Sequence, residues 1–181
     1  MTSSIAPFFL RTFANLELSA RQPDGSRQVI LQRGKPLAVL AYCASARKRE
    51  HGRDTLATLL WSDAPPDRAR HNVRQALWRL RRLLGELFVT REDAVIGVGA
   101  DLASDRDLFL DAVYRNDAPD AMGWYEGPFL GGVTIPGGDE FDDWASGERR
   151  RLEEALLRVA EPYLRGDVLR MKPSERRSAL E

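Results

Sequence analysis

Cysteine is almost missing from this chain: Cys43 stands alone among 181 residues. One thiol cannot close an internal disulfide, and such usage fits a reducing cytosol. Cys43 falls inside the apolar run 37–44, where a small buried residue is the simplest reading. Histidine is nearly as scarce. His51 and His71 have no Cys or carboxylate partner at metal-ligand spacing, so no metal is expected. Long apolar runs are missing too. None approaches the roughly 18 residues that a membrane span needs, and Arg11 breaks the apolar stretch nearest the N-terminus, against a signal peptide. A cytoplasmic protein without membrane contact is expected.

Catalytic patterns are equally thin. Gly131-Gly132 and Gly137-Gly138 are not followed by the Gly-Lys-Ser/Thr of a phosphate loop. The acids Asp139, Glu140, Asp142 and Asp143 cluster where a helix is expected to start, and there they compensate its macrodipole. Neither an enzyme nor a cofactor site is expected.

Net charge is formally zero, but the charge is unevenly spread. Residues 1–100 carry 16 Lys+Arg against 9 Asp+Glu, and residues 101–181 carry 11 against 18. Such asymmetry suggests two modules with different partners. A basic region over 1–99 and an acidic one over 100–181 are expected, joined by a short linker at 99–103.

The most informative stretch is 67–84, DRARHNVRQALWRLRRLL. At about 100° per residue, Ala69, Val73, Ala76, Leu77, Leu80, Leu83 and Leu84 share one face. Arg68, His71, Gln75, Arg79 and Arg82 share the other, flanked by Asn72, Arg74 and Trp78. Solvated helix faces ordinarily mix acids with bases at i,i+4. No acid occurs between Asp67 and Glu86. Guanidinium, amide and imidazole groups together can bond phosphates and base edges, so this face points to nucleic acid.

The rest of the first half fits around that helix. Residues 7–13, 15–20 and 27–32 are rich in Phe, Leu, Val and Ile, with Pro23-Asp24-Gly25 as a turn. They read as a three-stranded antiparallel meander. Helices are expected over 35–46, with Pro36 in the first turn, and over 53–61 behind Gly52. Residues 47–51 form a basic connector with a short extended piece. Ser62, Asp63, Ala64, Pro65 and Pro66 compose a turn, with Asp67 as the cap of the third helix and Gly85 as its stop. A hairpin is expected over 86–99. Strands, three helices and a hairpin make a winged helix behind an N-terminal sheet, with the third helix as the one that enters the major groove.

The second half reads as all helical. A helix capped by Ser104 spans 105–115, residues 116–119 break the chain, and a shorter helix lies within 121–130. A long helix starts at Asp139, with Phe141, Trp144, Ala145, Leu152, Ala155, Leu156 and Val159 on one stripe. Pro162 kinks or ends it. Trp61, Trp124 and Trp144 are expected as core anchors. Residues 166–181 can begin a further helix without a partner here, so the natural protein is expected to be longer.

Residues 33–42 (RGKPLAVLAY), 56–61 (LATLLW) and 72–84 (NVRQALWRLRRLL) resemble the DNA-binding domain of the Streptomyces antibiotic regulatory protein (SARP) family. Residues 105–109 (DRDLF), 124–130 (WYEGPFL), 141–144 (FDDW) and 148–152 (ERRRL) resemble the bacterial transcriptional activation domain that follows it. The resemblance covers roughly residues 8–165. It implies an α+β chain: an OmpR-type winged helix over 1–99, then a TPR-like helical module over 100–181. It implies a transcriptional activator. The DNA contacts expected from the basic face of the third helix are Arg68, His71, Asn72, Arg74, Gln75, Trp78, Arg79 and Arg82, with Arg91 in the hairpin beyond it. The resemblance also implies recruitment of RNA polymerase through the turn from Ser62 to Asp67, at promoter repeats on which a homodimer can sit. Many relatives carry a Gly-Tyr pair in the wing, which 87–96 lacks. Two other readings of the residues stay open: a winged helix that binds protein only, and the regulatory front end of a larger ATPase or enzyme.

Overall fold

The computed structural model describes residues 6–45, 50–85, 89–91, 94–96 and 101–170. Three strands come first: β1 (Phe8–Arg11), β2 (Glu17–Arg21) and β3 (Arg27–Leu31). They pair antiparallel as a meander, with Leu10 opposite Leu18 and Leu18 opposite Leu31. All three leucines are buried, because alternate side chains of a strand share one face. Gly25 closes the turn between β2 and β3 at φ +86, donating its N–H to the Gln22 carbonyl at 2.9 Å.

The sheet has a fourth strand that the expected meander does not include. β7 (Leu102–Ser104) lies parallel to β1 and gives the order β3-β2-β1-β7. Leu102 and Ala103 therefore belong to a strand, where a linker was expected. The expected boundary at residue 99 falls within 97–100, outside the described residues. A parallel neighbour needs a long crossover. Here that crossover is everything between β1 and β7, so the helices of the first half lie inside it.

Helices α1 (Lys35–Ser45), α2 (Arg53–Leu60) and α3 (Pro66–Leu84) stand close to their expected places. β4 (Glu50–Gly52) is the short extended piece between α1 and α2. It pairs with β6 (Ala94–Ile96), which pairs with β5 (Val89–Arg91), to form a second sheet in the order β4-β6-β5. The hairpin that follows α3 is thus stitched to the segment that precedes α2.

In the second half, α4 (Asp105–Tyr114) starts where Ser104 accepts the Asp107 N–H, as the cap expected there. α5 (Ala118–Trp124) corrects the sequence reading. The break expected over 116–119 is shorter, and the helix begins before residue 121 and ends before 130. Asp117 caps it by accepting the Asp120 N–H, and Pro119 sits in the first turn, where its missing N–H costs nothing. α6 (Asp139–Arg170) runs on through Pro162 rather than ending there. Pro162 and Arg158 are both exposed, so the Arg158 carbonyl that loses its partner faces water. Residues 171–181 lie outside the described residues.

One apolar cluster joins the two halves. Phe13, Phe109, Phe129 and Phe141 are almost fully buried, each contributing on the order of 1.5–3 kcal/mol. Phe13 meets Phe109 edge-on at 5.4 Å and Tyr125 at 4.8 Å. Tyr42 of α1 meets Trp144 of α6 edge-on at 4.8 Å. Trp61 is buried, while Trp124 and Trp144 are half-buried against the cluster. A polar joint lies beside it. The Asp105 carboxylate accepts the Thr12 N–H at 2.8 Å, the Phe13 N–H at 2.9 Å and the Thr12 hydroxyl at 2.7 Å. Burial pushes its carboxyl up, against these donors, which favour the charged form.

Candidate nucleic-acid interface

The interface candidate is built on α3. Pro65 stands at its N-cap and Pro66 in its first turn, with no side-chain cap. Asp67 is therefore inside the helix and does not cap it, contrary to expectation. It sits in the first turn and faces Arg70 at 3.7 Å. Gly85 ends the helix at φ 59 and donates its N–H to the Arg81 carbonyl. Arg81 and Arg82 occupy the last turn, where the macrodipole favours cations.

The two faces separate as the periodicity requires. Ala69, Val73, Ala76, Leu77, Leu80 and Leu84 are buried against α1 and α2, and Leu83 is half-buried. Arg68, His71, Arg74, Gln75, Trp78, Arg79 and Arg82 are exposed together, with Asn72 half-buried at their edge. Trp78 projects from the middle of this face, 56% exposed, and the Arg82 guanidinium lies 4.9 Å over its ring. Arg70 is the exception among these arginines. It is held by Asp54 at 3.0 Å as well as by Asp67. Arg68, Arg74, Arg79 and Arg82 have no acidic partner among the described residues. Their charge is free to attract an anion. Arg91 lies in β5, but its side chain is outside the described residues.

Grooves run along both flanks of α3. One, about 370 Å³, is lined by Lys35, Trp61, Asn72, Gln75, Trp78 and Arg79 among others. The other, about 300 Å³, is lined by Gly52, Arg53, Asp54, Arg70 and Arg74. Lys35 and Arg53 escaped the sequence reading. They belong to the first turns of other helices, and no periodicity within 67–84 reports on them.

The turn before α3 is less free than its composition suggests. Ser62, Asp63, Pro65, Pro66 and Asp67 are exposed, and Ala64 is half-buried. Yet Ser62 donates its N–H to the Gly137 carbonyl at 3.2 Å, and the Asp63 carboxylate occupies the place of the β-carbon that Gly137 lacks. The loop that leads into α6 thus fastens one side of a turn that otherwise stays exposed.

Cys43 is buried, and burial pushes its thiol up to about 12, far from a nucleophile at neutral pH. The His51 ring is buried against Tyr42 at 4.8 Å. Among the described residues, no group of three or more His, Cys, Asp or Glu could hold a metal ion. No helix among them is long and apolar enough to cross a membrane.

No protein-family model matches the chain, and no curated protein matches it in sequence. A solved structure does match in fold. It is EmbR of Mycobacterium tuberculosis in complex with a low-affinity phosphopeptide, at a TM-score of 0.60 and 20% identity. The match covers 84% of this chain but 43% of the EmbR chain, so this sequence spans less than half of that protein. At that identity the likeness is one of fold: mixed α and β, with a small sheet at the N-terminal end and helices after it.

Proposed function

We propose that the chain is a sequence-specific, DNA-binding transcriptional regulator of the activator type. α2, the turn and α3 act as the helix-turn-helix of an OmpR-type winged helix, and β5 with β6 act as its wing. α3 enters the major groove. The residues from α4 onward form an acidic, TPR-like activation module, and the turn from Ser62 to Asp67 meets RNA polymerase. The fold likeness to EmbR and the SARP resemblance support this reading. The phosphopeptide belongs to EmbR and is not carried over.

One observation carries the proposal: the exposed face of α3. An amphipathic helix must hide its apolar side, and here that obligation leaves Arg68, His71, Arg74, Gln75, Trp78, Arg79 and Arg82 outward with no acid among them. Such a surface is attracted to phosphate, and its amide and guanidinium forks match base edges.

The test is selection of random duplexes with the purified chain, followed by salt titration on the enriched site. With about four or five phosphates neutralised, log K falls against log salt with a slope of roughly −4. A slope near zero, or no enriched sequence, removes DNA from the account.

A further inference from the structure

α1 begins with the wrong charge. The N-terminal end of a helix carries a partial positive charge and favours acids. Lys35 is the first residue of α1, and its first turn holds no acid. The ammonium has no acidic partner within its helix, and its residue is only partly buried. Its Nζ lies 5.0 Å over the ring of Trp61, which is itself buried. Burial pulls the ammonium down from its ordinary value, and the Asp63 carboxylate nearby partly restores it.

Lys35 lines the groove that also holds Asn72, Gln75 and Arg79. No acid lines that groove. It therefore gathers an ammonium, a guanidinium and two amides around a space of about 370 Å³. An anion settling there relieves the mismatch of Lys35 with its own helix and meets donors from both helices. The groove runs along the flank of α3 that carries Asn72 and Arg79. A helix is about 10–12 Å wide and the major groove about 12 Å. A helix seated in it consequently has a phosphate backbone along each flank.

We infer that Lys35 is a DNA-backbone contact: its ammonium binds a phosphodiester of the strand that passes over the groove between α1 and α3. This rests on the DNA-binding reading above and adds a residue from outside the helix-turn-helix. Lys35 positions the duplex and reads no base. Trp61 holds the ammonium at the lip of the groove.

The test uses the whole chain and its selected duplex. Lys35→Met keeps an aliphatic stem on Trp61 and removes the charge. Lys35→Gln, a second neutral variant, guards against a packing artefact, and Lys35→Arg restores the charge. Both neutral variants are expected to bind every sequence about 3–10-fold more weakly, with a salt slope shallower by about one, and Lys35→Arg to stay near wild type. Lost packing alone lowers thermal stability without moving the slope. If wild type binds duplex and the neutral variants match it in affinity and slope, the Lys35 assignment fails alone. If wild type binds no duplex, the DNA reading fails and takes this one with it.

Discussion

The carboxylate of Asp63 rests on the α-carbon of Gly137, in the space where any other residue would carry its β-carbon. Gly137 has φ +65, and its carbonyl accepts the Ser62 N–H at 3.2 Å. Two residues after it, α6 begins. The turn between α2 and α3 is therefore anchored to the start of α6, the longest helix among the described residues.

Gly137→Ala tests that anchor. The added methyl meets Asp63 and also demands a left-handed backbone that L residues adopt at a cost of about 1 kcal/mol or more. We expect a loss of roughly 1–3 kcal/mol in unfolding free energy, together with faster amide exchange at Ser62. Wild-type exchange at Ser62 in this variant rules the anchor out.

Asp63→Ala tests polymerase contact at the turn. Asp63 caps no helix, so its removal leaves the start of α3 unchanged. It also lifts a negative charge from beside Lys35. DNA affinity is expected to stay within about twofold, near 0.4 kcal/mol, while transcription in a purified system falls severalfold. Transcription at the wild-type level leaves the turn as a connector.

On the proposed DNA-binding reading, base and backbone contacts along α3 are expected to separate by mutation. Gln75 is exposed at the middle of α3, and Arg82 in its last turn over Trp78. Gln75→Ala is expected to relax preference at one base position by about 1–3 kcal/mol. Arg82→Ala is expected to weaken all sequences alike. Uniform losses in both, measured over a set of single-base operator variants, contradict this division.

The joint between Asp105 and residues 12–13 makes the first half dependent on the second. A fragment of residues 1–99 loses the β7 partner of β1, the carboxylate that takes the Thr12 and Phe13 N–H groups, and the Phe109 face of Phe13. Each orphaned donor costs about 1–3 kcal/mol, so this fragment is expected to melt well below the whole chain. Asp105→Ala should lose at least about 2 kcal/mol by the same reasoning. A fragment as stable as the full chain in thermal unfolding shows that the joint is dispensable.

Acid should loosen the second half through Glu148. Burial alone raises this carboxyl, but Arg151 at 2.7 Å and Arg106 at 3.3 Å outweigh it and hold it below its ordinary value. A carboxylate whose pKa is lower folded than unfolded adds stability above its unfolded value and loses it as pH falls through the folded one. Glu148→Gln is therefore less stable than wild type at neutral pH, and the gap closes as pH falls through and below the ordinary carboxylate range. A gap that is constant with pH excludes this ionic contribution.

The sequence by itself determined the elements whose signals are local. The alternation of 67–84 is a property of one helix, so its buried and exposed residues were legible before any fold was known. The strands of the meander, the Ser104 cap and the Gly85 stop were legible for the same reason. α5 was misread because Asn116 and Pro119 signal a break, while Asp117 between them caps a helix that tolerates proline in its first turn.

Only the tertiary structure decided what the halves do to each other. β7 has three residues, too short for alternation to announce a strand, and its partner β1 is more than ninety residues away. Asp105 reaches Thr12 across 93 residues. Gly137 matters because of Asp63, and Lys35 because Trp61 and α3 form the rest of its groove. Periodicity and capping report which way a residue faces along its own element. Which distant group waits there depends on how the helices and sheets close over one core, and no local pattern carries that information.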